Sequence, residues 1–108
     1  MKGKNWAQLV GYVGQHLKET DTGNGRRVAM RVATHARSVN ELGEPVDKTV
    51  WHNVIAWDGP AEYAGKNFVK GSKIMVEGKI MHDSFQGKDG KPRQMTYIKA
   101  HSLLNLDR

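Results

Sequence analysis

The chain lacks several features that would have assigned it to a familiar class. It has no cysteine, so disulfides and thiolate metal sites are excluded. No apolar stretch approaches the roughly 20 residues of a membrane span, and the opening Met1–Asn5 lacks the apolar core of a signal peptide. We therefore expect a soluble, intracellular protein, and the lack of cysteine is compatible with a reducing cytosol.

Catalytic and metal-binding signatures are also missing. The sequence holds no Gly-rich triphosphate loop, no His-x-Glu zinc signature and no legible pair of nucleophile and base. The histidines are scattered without the spacing of metal ligands. They are His16, His35, His52, His82 and His101. We expect neither an enzyme nor a bound metal or other cofactor.

Positive charge is what the composition does provide. The 108 residues carry 17 Lys and Arg against 11 Asp and Glu, a net charge of +6. This length predicts one domain spanning residues 1–108 with a modest core. The charge suggests a polyanionic partner, although many small proteins simply have a basic surface. Because the basic residues are spread along the chain, a folded, charge-lined surface fits better than a disordered arm.

Strand patterns dominate the chain. Alternation of apolar and polar residues, bounded by turn signals, predicts five strands. They are Trp6–Gln15, Arg27–His35, Lys48–Trp57, Lys73–Phe85 and Gln94–Leu106. Polar connections are expected at the Asn24-Gly25 turn within Thr20–Gly25, at the loop Arg37–Asp47 and at the basic tip Gln86–Arg93.

One short helix is predicted over Pro60–Lys70, with Ala61, Ala64 and Phe68 on one stripe and Gly71 as its end. It lies between the third and fourth strands. Five strands with one helix in that place are the element order of an all-β, Greek-key OB-fold barrel. Such barrels bind oligonucleotides across strands 2 and 3 and the neighbouring loops.

Trp51 and Trp57 are the most informative pair of residues. Because side chains alternate along a strand, the two indoles share a face, roughly 20 Å apart at about 3.3 Å per residue. Large aromatics also build cores, so a core position is the alternative. Val54 and Ala56 have the opposite parity and can fill the interior. Flat rings in a basic chain suggest a stacking platform for unpaired bases.

Several segments together resemble the bacterial single-stranded-DNA-binding proteins. The segments are Leu9–Gly14 (LVGYVG), Trp51–Val54 (WHNV), Trp57–Glu62 (WDGPAE), Phe68–Ser72 (FVKGS) and Val76–Ile80 (VEGKI). The resemblance runs from about Asn5 to Leu106. It implies an OB fold and sequence-independent binding and protection of single-stranded DNA during replication, recombination and repair, in the cytoplasm with the nucleoid.

The resemblance also implies a set of binding residues. Bases would stack on Trp51, Trp57 and Phe85, with basic help from Lys70 and from the loop after Phe85. That loop carries Lys88, Lys91 and Arg93. Alternation with Val28, Met30 and Val32 places Arg31 on the outward, binding face of the second strand. A further family aromatic has no counterpart here, and Arg37 or His35 is expected to take over its contact.

Assembly and partners are further implications of the resemblance. The family forms homotetramers through its first strand and outer sheet face, so we expect a tetramer or a dimer. His52 would lie near a subunit contact, and Lys73 stands where the interface commonly carries a glutamine. Trp6 fits either subunit packing or DNA contact. The family's acidic, Phe-tipped tail, which recruits replication and repair proteins, has no counterpart before Arg108.

Two other functions remain open on the sequence. One is a primosome-type OB adaptor that acts mainly through protein–protein contacts, which the absence of the acidic tail slightly favours. The other is an RNA-binding OB domain of cold-shock type, against which stands the lack of clustered aromatic motifs on adjacent strands.

Overall fold

The computed structural model describes residues 3–14, 17–21, 23 and 25–107. Within these residues the chain forms six strands and one helix. The elements are β1 (Ala7–Val13), β2 (Lys18–Asp21), β3 (Arg26–Val39), β4 (Pro45–Trp57), α1 (Asp58–Asn67), β5 (Lys73–Gln86) and β6 (Pro92–Asn105). Of the described residues, none belongs to a helix long and apolar enough to cross a membrane.

The strands close into a barrel. Their order in the sheet is β1-β5-β6-β4-β3-β2, and β1 also pairs with β3 through Tyr12 and Ala33. Both β1 and β2 pair antiparallel with β3, so they act as two segments of one barrel strand. β4 and β6 run parallel, with Val54 opposite Ile98, and this pair closes the barrel. The predicted fold, a five-stranded OB barrel with a helix between its third and fourth strands, is confirmed.

Small branched side chains fill the barrel. Successive residues of a strand face opposite sides of the sheet, so every second residue of β3 points inward. The residues with at most 1% of their surface exposed are Val13, Val28, Val32, Val54, Ile74 and Val76, together with Ala56, Ala61 and Ala64. α1 packs its alanine stripe against this cluster, and Phe68 joins it directly after the helix.

The helix is displaced from its predicted bounds. It begins at Asp58 and ends at Asn67, not at Lys70 as predicted. Phe68 leaves the helix in an extended conformation, with φ −109° and ψ 139°, while its amide still donates to the Ala64 carbonyl. Because Phe68 turns into the core at that point, burial of its ring ends the helix before Gly71 can.

Two predicted connections are shorter than expected, because the strands on either side extend into them. The predicted extent of the loop, Arg37–Asp47, is wrong. β3 continues to Val39 and β4 starts at Pro45, so only five residues turn between them. Asn40 shapes this turn by accepting the amides of Leu42 and Glu44 through Oδ1. Beyond the barrel a hairpin has two wet faces, so polar residues can pair as strands without apolar alternation.

The other connections shift in the same way. β5 and β6 extend the second hairpin, and its tip shrinks from Gln86–Arg93 to residues 87–91. Thr20 belongs to β2 instead of the predicted turn, and Asn24 lies outside the described residues.

Gly78 offers a test of how closely β5 and β6 approach each other in the barrel. It stands at a register shift between β5 and β6, where a Cβ would collide with the backbone carbonyl of Lys99. Since backbone cannot move aside as a side chain can, we expect Gly78→Ala to lower the free energy of unfolding by about 1–3 kcal/mol. Urea unfolding at one fixed protein concentration measures it.

Gly59→Ala is the matched control. Nothing lies within 4 Å of a Cβ at this helical glycine, so the variant should be as stable as the parent or slightly more stable. Equal stability of parent and Gly78→Ala would show that β5 and β6 can separate there without strain.

Candidate nucleic-acid interface

The outer face of β3 and β4 brings the two indoles together with two arginines. In the antiparallel register Trp57 lies opposite Arg27, Asn53 opposite Arg31, and Trp51 opposite Ala33. We call this surface the β3–β4 face; its residues are Arg27, Ala29, Arg31, Ala33, Trp51, Asn53, Ile55 and Trp57. Trp51 and Trp57 are 44% and 37% exposed. Both indoles thus lie outside the barrel, as their spacing predicts.

An arginine guanidinium lies over each indole. The Arg31 Cζ atom is 4.9 Å from the centroid of the Trp51 ring, and the Arg27 Cζ atom is 5.5 Å from that of Trp57. An exposed cation–π contact contributes about 0.5–1 kcal/mol, whereas a stacked base contributes about 1–3 kcal/mol. A stacked base would therefore be a stronger partner for either ring than the arginine that covers it.

The Trp51 ring rests on a glycine. A Cβ built on Gly14, just beyond the end of β1, would overlap the far edge of the Trp51 indole. Gly14 is held there by its amide, which donates to the Arg31 carbonyl over 2.9 Å. The ring from β4 therefore crosses β3 and reaches the first barrel strand, and the missing side chain leaves room for it.

A small cleft of about 170 Å³ separates the two indoles. Its lining includes Lys18 from β2, Arg31, Asn53 and Ile55 from the β3–β4 face, and Met95 from β6. Asn53 also donates from Nδ2 to the Thr96 carbonyl over 3.4 Å. The β5–β6 hairpin therefore meets the platform between the two rings.

Sequence reasoning missed four of these residues as components of the platform: Lys18, Arg27, Asn53 and Met95. Arg27 was findable, because it has the same parity as Arg31 in one strand. Lys18 lies in a segment that was not predicted as a strand. Met95 gave no signal, since the sequence does not show how the β5–β6 hairpin bends.

Phe85 lies further out on that hairpin. It is 51% exposed and pairs with Arg93. This pair lies two residues further along the hairpin than the pair Asp83 and Met95, and on the same side of it. Because Met95 faces the platform cleft, Phe85 and Arg93 lie on the continuation of that face. Arg93 is ion-paired with Asp89 over 3.0 Å, and Lys88 and Lys91 are exposed at the tip.

A part-buried hydrogen bond fixes the base of this hairpin. The Tyr97 hydroxyl donates to Asp83 Oδ2 over 2.7 Å, and Tyr97 is 8% exposed. That hydrogen bond raises the pKa of Tyr97, with burial and the negative charge of Asp83 acting in the same direction. The phenol therefore stays protonated and bound to Asp83 throughout the neutral range.

The remaining candidate residues lie at the margins of the platform. Lys70 is exposed, and the next residue, Gly71, donates its amide to the Val13 carbonyl over 2.7 Å, which ties this loop to the end of β1. Arg37 projects from the β3–β4 hairpin and forms an exposed ion pair with Asp47 over 3.5 Å. His35 instead makes an edge-to-face contact with Tyr12, with ring centroids 6.2 Å apart.

The two residues expected at a subunit contact lie apart. His52 is half-buried, hydrogen-bonded through Nε2 to Thr34 Oγ1 over 2.9 Å, and lines a cleft with Ala7 and Leu9. Lys73 pairs with Tyr12 towards the other end of β1. Their role at a subunit contact stays a prediction.

Comparison with known families now places the chain. The sequence profile of the Single-strand binding protein family matches residues 4–106. The chain belongs to this family. The match includes every strand of the barrel and the whole β3–β4 face.

Curated members of the family are similar over most of the chain. The single-stranded DNA-binding protein of Neisseria meningitidis serogroup A is 33% identical over 96 residues, which cover 88% of this chain and 55% of the relative. That of Xylella fastidiosa is 32% identical over 103 residues, covering 94% and 63%. The chain therefore spans only 55% to 63% of the length of these relatives.

Solved structures share the fold. A Plasmodium falciparum SSB in complex with ssDNA matches with a TM-score of 0.88 at 24% identity, over 99% of this chain and 98% of that chain. A small single-stranded DNA-binding protein from Streptomyces coelicolor matches with a TM-score of 0.73, also at 24% identity, over 93% and 92%.

Gly14 provides a test of the platform in this member of the single-strand binding protein family. Gly14→Ala should push the indole of Trp51 outward, because the new methyl group occupies the space of the ring edge. We expect tryptophan emission to shift to longer wavelength as the ring gains water. The same substitution in a Trp51→Phe background should leave the emission of the remaining tryptophans unchanged. A shift of equal size in both backgrounds would show that Gly14 does not support Trp51.

Proposed function

We propose that the chain binds single-stranded DNA without sequence preference and protects it during replication, recombination and repair. The observation that carries the proposal is the β3–β4 face, where Trp51 and Trp57 each hold an arginine on an exposed ring. Every base has a π-face that an indole can stack on, so the contact needs no particular sequence. The guanidiniums and the net charge of +6 attract the phosphates.

The same geometry favours an unpaired strand over a duplex. In a duplex the faces of the bases are already stacked on their neighbours and cannot reach Trp51 or Trp57. The bound strand would run along the platform and under the β5–β6 hairpin, where Phe85 supplies a third ring and Lys88, Lys91 and Arg93 supply charge. Lys70 and Arg37 would meet phosphates at its margins.

The relatives support this function by name. The Neisseria and Xylella proteins are both called single-stranded DNA-binding proteins. A primosome-type adaptor that works through protein contacts would need no paired indoles and arginines on its outer face, so the platform favours the DNA-binding function. Binding of chromosomal DNA would place the protein in the cytoplasm with the nucleoid.

We also propose that the chain acts as a homo-oligomer, a tetramer or a dimer. Val10 on β1 pairs with Met75 on β5, which pairs with Leu104 on β6, so the three form a row across the outer face. Val10 is 51% exposed and Leu104 is 46% exposed. Such an apolar row on a water-facing sheet is typical of a surface that a second subunit covers.

Replacement of the indoles tests the stacking contact. Tryptophan fluorescence should quench strongly when poly-dT is added to the parent protein. Trp51→Ala and Trp57→Ala should each weaken binding, because a stacked base contributes about 1–3 kcal/mol. Trp51→Phe and Trp57→Phe are the matched controls and should retain most of the affinity, since a ring remains. Parent-like binding by both alanine variants would exclude the platform as the binding site.

Salt dependence tests the role of the arginines separately. For single strands the logarithm of the affinity falls with the logarithm of salt concentration by about 0.7 for each neutralised phosphate. Arg31→Gln should reduce that slope by about 0.7 if its guanidinium meets one phosphate. Lys66→Gln is the control, because Lys66 is paired with Glu62 on α1 and should leave the slope unchanged. Equal slopes for Arg31→Gln and the parent would remove Arg31 from the set of phosphate contacts.

A further inference from the structure

Two exposed rings lie together at the edge of the β3–β4 face, beyond Trp51. Tyr12 on β1 and His35 on β3 form an edge-to-face pair, with ring centroids 6.2 Å apart and planes at 73°. Tyr12 is 43% exposed, and His35 is also exposed. Tyr12 lies outside the barrel because the next residue, Val13, fills the interior, and His35 lies outside because it has the opposite parity to the buried Val32 on β3. The pair therefore contributes nothing to the core.

The pair is continuous with the platform. Tyr12 pairs with Ala33, and Ala33 pairs with Trp51, so the three residues form one row across the outer face. Ala33, in the centre of the row, is 5% exposed, so only its methyl group lies between the rings of Tyr12 and Trp51. The Trp51 ring ends at Gly14, two residues from Tyr12 on the same side of the chain, or about 7 Å at 3.3 Å per residue.

The charges around the pair also suit a strand of nucleic acid. Lys73 lies directly opposite Tyr12 on β5, and Arg31 lies beside the same row on β3. Arg37, two residues from His35 on the same strand, is ion-paired with Asp47 over 3.5 Å. The aromatic surface at this edge therefore comes from Tyr12 and His35, and Lys73, which is also predicted at a subunit contact, is the adjacent positive charge.

We propose that Tyr12 and His35 together form a fourth base-stacking position, for an unpaired base that follows the one on Trp51. The inference rests on the proposed function, since it adds a nucleotide to the same bound strand. It also accounts for the family aromatic that has no counterpart on the β3–β4 hairpin. In this proposal Tyr12 on β1 supplies the ring at this edge, and Arg37 does not replace the missing aromatic. His35 supports the Tyr12 ring from β3.

The test compares variants of the intact protein in binding oligo-dT, followed by tryptophan quenching. Tyr12→Leu keeps an apolar side chain without a ring, and we expect it to weaken binding by about 5- to 150-fold, the range of one stacked base. Tyr12→Phe keeps the ring and should bind within about twofold of the parent. His35→Ala should bind more weakly than the parent, and its effect should not add fully to that of Tyr12→Leu, because the two side chains form one position.

His101→Ala is the matched control for His35→Ala. It removes the histidine of a similar edge-to-face pair, with Trp6 at 5.9 Å, next to the first residues of β1. This variant should keep the parent's affinity, because neither His101 nor Trp6 belongs to the β3–β4 face. Sedimentation of every variant at the assay concentration should match the parent, which separates a lost ring contact from a lost subunit contact.

The outcomes distinguish the two proposals. If Trp51→Ala binds oligo-dT more weakly but Tyr12→Leu and His35→Ala bind like the parent, the fourth position does not exist and the proposed function stands. If Trp51→Ala also binds like the parent, the proposed function itself fails. If Tyr12→Leu binds weakly and sediments as a smaller species, Tyr12 acts through subunit packing and the inference is overturned.

Discussion

The alternation of side chains along β3 and β4 is the constraint on which both the core and the platform depend. Val28, Val32 and Val54 fill the barrel, while Arg31 and Trp51 occupy the outer face of the same hairpin. A slip of one residue in the register would turn valines outward and indoles inward. The hydrophobic effect that holds the valines inside therefore also fixes the side on which the rings and guanidiniums of β3 and β4 lie.

The platform is assembled from contacts weak enough to be exchanged. Arg27 and Arg31 cover the indoles through cation–π contacts, which water screens at an exposed site. Stacked bases and phosphates offer stronger partners to both components. The free protein thus keeps its rings oriented and partly covered, and under the proposed function single-stranded DNA would replace these contacts with stacking and phosphate contacts. Gly14 keeps open the space in which the Trp51 ring lies.

Prediction from the sequence worked where a strand has one buried face. The parity of Trp51, Trp57 and Arg31 was readable because valines and alanines between them mark the interior. It failed in the segment Arg37–Asp47, whose two ends pair as strand but have no buried face and hence no apolar alternation. It also missed Lys18 and Met95, which reach the platform only because β2 and β6 are brought to it.

The sequence by itself determined the local and compositional properties of the protein. These are the strand periodicity, the side of each strand on which a residue lies, the excess of positive charge and the motifs of the family. The tertiary structure decided which strands meet, and with them the support of Trp51 by Gly14 and the pairing of Tyr12 with His35. These contacts join residues more than 20 positions apart. They depend on the register and closure between β1 and β3, which the alternation within either strand does not specify.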